Sequence, residues 1–148
     1  MTIDEVDKDI IRVLNKDARL SFREIAQMLS ISVGTVSHRV KRMEEQGVIK
    51  GYIPEICAEK VGFDFRAIIF LNIAKGKLRD VEAELAKHEN LVGVYDITGD
   101  FDAVIVGRFE NRKHLNTFVK EIQTLEYVER TNTSVVLDVL KESTRVSL

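Results

Sequence analysis

Residues 21–46, SFREIAQMLSISVGTVSHRVKRMEEQ, constrain the fold more than any other stretch of the chain. They predict two short helices joined by a tight turn. Ser21 and Glu24 form a capping-box pattern, so a helix starts there. Ile25, Ala26 and Leu29 make its inner face, and Ser30-Ile31-Ser32 make the turn. Ser32 is a good N-cap for the next helix, which is expected to run to Gln46 and stop at Gly47. Val36, Val40 and Met43 fall on its inner face, while Thr35, His38, Arg39 and Arg42 are expected on the other. A further helix is predicted upstream over residues 4–16. Val6, Ile10, Val13 and Leu14 repeat at helical spacing there, and Asp4, Glu5 and Asp7 sit where the helix dipole favours anions.

Three helices of this size need few residues, and charge suggests what they face. The whole chain of 148 residues carries a formal net charge of −2. Residues 19–42 nevertheless hold five basic residues and one acidic residue, whereas residues 51–148 hold 13 basic and 16 acidic. A local basic patch on an acidic protein implies a docking surface for an anion. The single cysteine, Cys57, excludes an internal disulfide and a thiolate metal site. His38, His88 and His114 lie far apart, none at metal-ligand spacing, and neither a phosphate loop nor a nucleophile elbow is present. No catalytic residue, cofactor or metal is therefore assigned. The N-terminus lacks a signal-peptide pattern and no apolar run reaches the ~20 residues of a membrane span, so no membrane partner is expected and the protein is read as cytoplasmic.

After Gly47 the pattern becomes extended, ending at Gly51 and the only proline, Pro54; it reads as a wing or hinge. The second half predicts strands over 65–75, 91–98, 102–109 and 128–140, with helices over 77–88 and 111–123. The order βαββαβ is that of a ferredoxin-like split βαβ unit. The expected fold class is thus α+β. A winged helix-turn-helix domain spans 1–50, a linker 51–62, and a ferredoxin-like domain 63–148. The first strand is apolar on both faces, with Ala67, Ile69 and Leu71 on one and Ile68 and Phe70 on the other. The last strand is similar, with Val135, Leu137 and Val139 against Val136 and Leu140. Two helices cover one face, and a second copy of the chain is the simplest cover for the other. A homodimer through these sheets is expected, with tetramer and octamer left open.

A helix with a cationic, hydroxyl-rich face suits the DNA major groove. Ser32, Thr35, Ser37, His38 and Arg39 lie on the part that would enter first, with Arg39 the candidate to chelate a guanine edge and Thr35 to touch a thymine methyl. Arg23, Lys41 and Arg42 are the candidate phosphate contacts. A solvated surface helix is the plainer alternative.

These residues resemble the Lrp/AsnC, or feast/famine, family of transcriptional regulators over nearly the whole chain. The resemblance rests on Ile3-Asp4, Asp7, Ile10-Ile11, Leu14 and Asp17-Ala18-Arg19, on residues 25–49 ending in Glu44-Glu45-Gln46-Gly47-Val48-Ile49, and on Thr98-Gly99-Asp100-Phe101-Asp102. Ser30 stands where the family favours glycine, and Gly34 lowers helix propensity near the start of the reading helix. The resemblance implies a sequence-specific regulator of double-stranded DNA that responds to a small-molecule effector, an amino acid. Gly99, Asp100, Phe101 and Asp102 read alone are a hairpin turn. With the resemblance they become the effector site, a carboxylate facing the ammonium and the backbone after Gly99 facing the carboxylate, with Thr131 and Thr133 of the last strand completing it. Two other readings follow from the same scaffold: an enzyme resembling the sirohaem decarboxylases, which would need clustered His and Arg, and an architectural DNA protein that ignores effectors.

Overall fold

The computed structural model describes residues 2–148. It divides into two compact units, Met1–Glu55 with Lys141–Leu148, and Ile56–Leu140. In the first unit α1 (Glu5–Lys16), α2 (Phe22–Leu29) and α3 (Val33–Glu45) surround a core of Ile10, Val13, Ile25, Ala26, Val36, Val40 and Met43. Each helix begins at a side-chain cap. Asp4 and Asp7 form a reciprocal capping box, Ser21 and Glu24 form a second, and Ser32 Oγ accepts from the Thr35 N–H at 3.0 Å. The α2–α3 turn passes through Ser30 in the left-handed region, φ 55°, which is where a residue without Cβ has the advantage.

The expected wing forms no strand; residues 50–57 carry no regular structure. The chain entering this stretch is tied back to α3: the Val48 and Ile49 N–H groups both donate to the Met43 carbonyl, and the Tyr52 hydroxyl donates to Glu44 at 3.0 Å. Partial burial, with Glu44 opposite, pushes the Tyr52 hydroxyl up to about 12. The last eight residues, expected in the second domain, instead lie with the first. Arg12 Nε donates to the Leu148 carbonyl at 3.0 Å, Asn15 to the Val146 carbonyl at 3.3 Å, and Arg145 pairs with Glu55 at 2.6 Å.

The second unit holds one antiparallel sheet in the order β2-β3-β1-β4. Its strands are β1 (Phe65–Ile73), β2 (Leu91–Asp96), β3 (Ala103–Phe109) and β4 (Val128–Val135), with helices α4 (Leu78–Leu85) and α5 (Arg112–Gln123) as crossovers. Burial alternates along β3 and, from Arg66 onward, along β1. Ala67, Ile69, Leu71, Ala103 and Ile105 pack against Val81, Leu85, Leu115, Phe118 and Ile122, so both helices cover the same face. Ile68, Phe70, Val104 and Val106 stand on the other face, with Phe70 opposite Val104 and Ile68 opposite Val106. Tyr95 joins them, its ring lying over Gly93, where a Cβ would sit only 2.3 Å from it. The last strand is shorter than the expected 128–140. The pairing ends with Val135 against Ala67, followed by one further bond from the Val136 N–H to the Arg66 carbonyl. Leu137 and Leu140 are consequently almost wholly exposed, and the expected second face of that strand beyond 136 does not exist.

Candidate nucleic-acid interface and effector site

The outward stripe of α3 consists of Gly34, Ser37, His38 and Lys41, all exposed, at the i, i+3, i+4, i+7 spacing of one helix face. Ser32 caps the helix just before it. This differs from the expected face in three residues. Thr35 is half-buried and its Oγ1 lies 2.8 Å from Ser32 Oγ. Arg39 and Arg42 flank the core rather than opposing it, and both reach α1. Arg39 Nη1 donates to Asp4 Oδ1 and Oδ2 at 2.8 and 2.6 Å and to Asp7 Oδ1 at 2.9 Å; Arg42 Nη2 donates to Asp7 Oδ2 at 2.6 Å. The reason is angular: at 100° per residue positions 39 and 42 both fall on one flank of the Val36, Val40 and Met43 face, so their long side chains emerge together at the α1 boundary. Of the expected basic contacts, Lys41 points outward with Glu45 at 3.8 Å, and Arg23 is exposed on α2.

Asp7 is the buried polar residue of this cluster, 0% exposed. Asp4 is half-exposed, and the hydrogen bond from Arg39, reinforced by the Asp7 N–H, holds its carboxyl down at about 2 against an ordinary 3.8. A carboxyl lowered on folding contributes stability above its unfolded value and loses it as pH falls through the folded value. The α1–α3 contact is therefore expected to loosen between pH 3.8 and about 2. An acid titration followed by circular dichroism should show a helix-loss step in that window that Asp4→Asn flattens; superimposable curves would refute the assignment.

In the second unit the Gly99–Asp102 loop joins β2 to β3. Gly99 has φ 119°, a conformation open to glycine and strained for other residues. The loop is pinned to the end of β1. The Asp102 N–H donates to the Leu71 carbonyl at 2.9 Å, Asp102 Oδ2 accepts from the Ile73 N–H at 2.8 Å, and Asn72 Nδ2 donates to the Asp100 carbonyl at 2.8 Å. The Asp102 carboxylate is thus committed to backbone. The Asp100 carboxylate is exposed and has no partner among the described residues. Phe101 packs on Phe70, ring centroids 5.2 Å apart, and a shallow open cleft lies beside Asp96, Ile97 and Thr98.

The two threonines divide from this arrangement. Thr131 pairs with Leu71 and Thr133 with Ile69, which places both on the helix-covered side, and Thr131 Oγ1 accepts from Gln123 of α5 at 2.9 Å. The residue that shares the loop's side is Arg130, which pairs with Asn72, the side chain already bonded to Asp100. Sequence reading missed it as a site residue because a single Arg opening a Thr-rich strand carries no signal without the register. His88 and His114 lie edge-on to Phe118 and Phe109 at 5.2 and 5.4 Å, as packed aromatic residues of the helix layer. No helix is long and apolar enough to cross a membrane among the described residues.

Comparison with known proteins matches both units. Residues 3–50 fit the model for winged helix-turn-helix DNA-binding domains, and residues 66–146 fit the model for the Lrp/AsnC ligand binding domain. An uncharacterised HTH-type transcriptional regulator of Pyrococcus abyssi is 43% identical, over 97% of this chain and 98% of that protein. Among solved structures, a Neisseria meningitidis transcriptional regulator in complex with L-methionine is similar with a TM-score of 0.91 at 24% identity, covering 99% of this chain and 97% of the other. A feast or famine regulatory protein of M. tuberculosis, complexed with L-methionine, is similar with a TM-score of 0.88 at 26% identity, covering 98% and 99%.

Proposed function

Since the chain belongs to the Lrp/AsnC family of DNA-binding transcriptional regulators, we propose that its α3 stripe reads the major groove and that its second unit couples this reading to an α-amino acid. The observation that carries the proposal is the pairing, on one chain, of an outward helix stripe free of core contacts with a loop whose Asp100 carboxylate is uncommitted and which is bonded to Asn72, the strand partner of Arg130. Ser37 and His38 supply hydrogen bonds to base edges, Lys41 and Arg23 hold phosphates, and Gly34 lets the backbone approach the duplex. Arg39 and Arg42 act in this reading from behind, through α1.

For the effector, Asp100 takes the ammonium and Arg130 the carboxylate, since a zwitterion needs one partner of each sign. Asp102, Gly99 and Asn72 hold the loop in place, and Phe101 with Phe70 offers an apolar wall to the side chain. L-methionine in two similar structures supports an amino acid with an apolar side chain. Thr131 and Thr133 serve the strand and the α5 contact. The open sheet face is covered by a second copy, giving a cytoplasmic homodimer that reads two half-sites.

The test is selection of bound duplex from a random pool, with and without each of the twenty amino acids. A two-fold symmetric sequence whose binding shifts with one amino acid is the expected result. Asp100→Ala and Arg130→Gln should each abolish that shift, since each removes one charge partner worth roughly 1.5–3 kcal/mol. A response surviving both variants places the effector elsewhere, and a symmetric sequence with no shift at all favours an effector-independent DNA-organising protein.

A further inference from the structure

The basic patch that the sequence places on residues 19–42 is largely cancelled in the folded unit. Arg39 and Arg42 face Asp4 and Asp7, two charges against two. The two carboxylates differ in a way that matters. Asp7 is fully buried and shared between both guanidiniums, so it is part of the unit's packing. The Asp4 side chain is 51% exposed, yet it takes two of the three hydrogen bonds that Arg39 makes. All three leave from Nη1, and Nε and Nη2 of Arg39 have no partner among the described residues. A guanidinium with one nitrogen on a half-exposed carboxylate and its other donors unengaged is in the state that a phosphate would otherwise complete.

We propose that Asp4 is a specificity-determining residue of the DNA-reading unit, its carboxylate standing on Arg39 in place of a DNA phosphate and so lowering affinity for duplex of arbitrary sequence. Sequence-independent binding comes from neutralised phosphates and the counterions they release, and each such contact steepens the dependence of log K on log salt by about 0.9. Asp4 removes one such contact and sets its own negative charge near the approaching backbone. Contacts to base edges from Ser37 and His38 are untouched. The ratio of specific to non-specific binding therefore rises, and that ratio governs occupancy when sites compete across a genome. Asp4 acts through Arg39, so it is a positioning residue with an electrostatic readout. This rests on the DNA-reading role of α3 proposed above.

The experiment measures affinity for a scrambled 30-base-pair duplex and for the selected duplex across a salt series. It uses the full chain and its Asp4→Asn variant. Asparagine keeps the N-cap acceptor and removes only the charge. The expected result is a salt slope steeper by about one and a three- to tenfold gain on scrambled duplex at 0.1 M salt, with a smaller gain on the selected duplex. Glu5→Gln supplies the control, because Glu5 is exposed on the same turn but pairs with Lys8 and Arg12 instead. An equal gain from Glu5→Gln, or an unchanged slope in Asp4→Asn, overturns the proposal. A melting curve establishes that Asp4→Asn is folded, and Asp4→Ser, another good N-cap without charge, repeats the measurement if it is not. In the Arg39→Gln background Asp4→Asn should lose its effect on the slope; a persisting effect also overturns the proposal. Failure of the unsubstituted chain to bind any duplex overturns the DNA-reading role itself, a different result from a flat comparison between variants.

Discussion

Asp7→Ala is expected to cost the N-terminal unit about 3–5 kcal/mol, enough to unfold it. Asp7 is 0% exposed, and three donors converge on its two oxygens: Arg39 Nη1, Arg42 Nη2 and the Asp4 N–H at 3.1 Å. Arg39 and Arg42 side chains are only 22% and 23% exposed, and Arg42 Nε is already buried without a hydrogen-bond partner. Removing the carboxylate leaves Arg42 without its ion-pair partner and Arg39 with Asp4 alone, both poorly hydrated. Half of the α1 capping box goes as well, a further loss of roughly 1 kcal/mol. A three-helix unit with a core of seven buried apolar side chains has little reserve against such a loss. Amide hydrogen exchange separates the outcomes. Protection in α1–α3 should collapse while β1 and β3 keep theirs, and duplex binding should vanish with it. Protection in α1–α3 within about 1 kcal/mol of the unsubstituted chain would mean that the ion cluster contributes little, as surface pairs do. Glu24→Ala, which breaks the exposed capping box of α2, sets the scale for a purely local loss.

That cluster also shows where reading a sequence stops. Ser21 and Glu24, Ser32, and the alternation of Ala67, Ile69 and Leu71 each announce their role within four to nine residues, and α2, α3 and β1 form where those patterns place them. Asp4 and Asp7 are legible only as anions at a helix start. Their second role depends on residues 35 and 32 positions away, set by how α3 lies across α1. For the same reason Arg39 and Arg42 read as part of an outward face: periodicity separates core from surface but does not resolve the flank, where a long side chain can turn either way. The effector loop repeats the lesson. Gly99 and Asp100 signal a turn, and the family resemblance signals a site, but Asp102 is spent on the Ile73 N–H and Arg130 is drawn in by a pairing with Asn72. Neither fact has a local signature. The last strand ends at Val135, near the start of β1, although residues 136–140 stay mostly apolar and carry no local signal to stop.

Val106→Asp is expected to break the proposed homodimer into single chains and to lower affinity for a duplex with two half-sites by a factor of 10²–10⁴. Antiparallel sheets with one wet face alternate apolar with polar side chains. Here the face away from the helices carries Ile68 and Phe70 on β1 and Val104 and Val106 on β3 at the centre of the sheet, with Tyr95 beside them. Val106 sits opposite Ile68, in the middle of β3 and away from the Gly99–Asp102 loop. In a two-fold dimer each substitution appears twice in one interface, so two carboxylates would enter a desolvated patch without partners, a cost that no rim contact offsets. A single chain still has its α3 stripe, and it should still bind one half-site with the weak affinity of one helix. What it loses is the delivery of the second helix at high effective concentration. Sedimentation velocity reads the assembly, and titration against duplexes carrying one or two half-sites reads the consequence. The substitution should narrow the difference between those two duplexes to almost nothing while a melting curve keeps the fold. An unchanged sedimentation coefficient would move the contact to another surface, and an unchanged two-site affinity in a monomeric variant would separate DNA reading from assembly altogether.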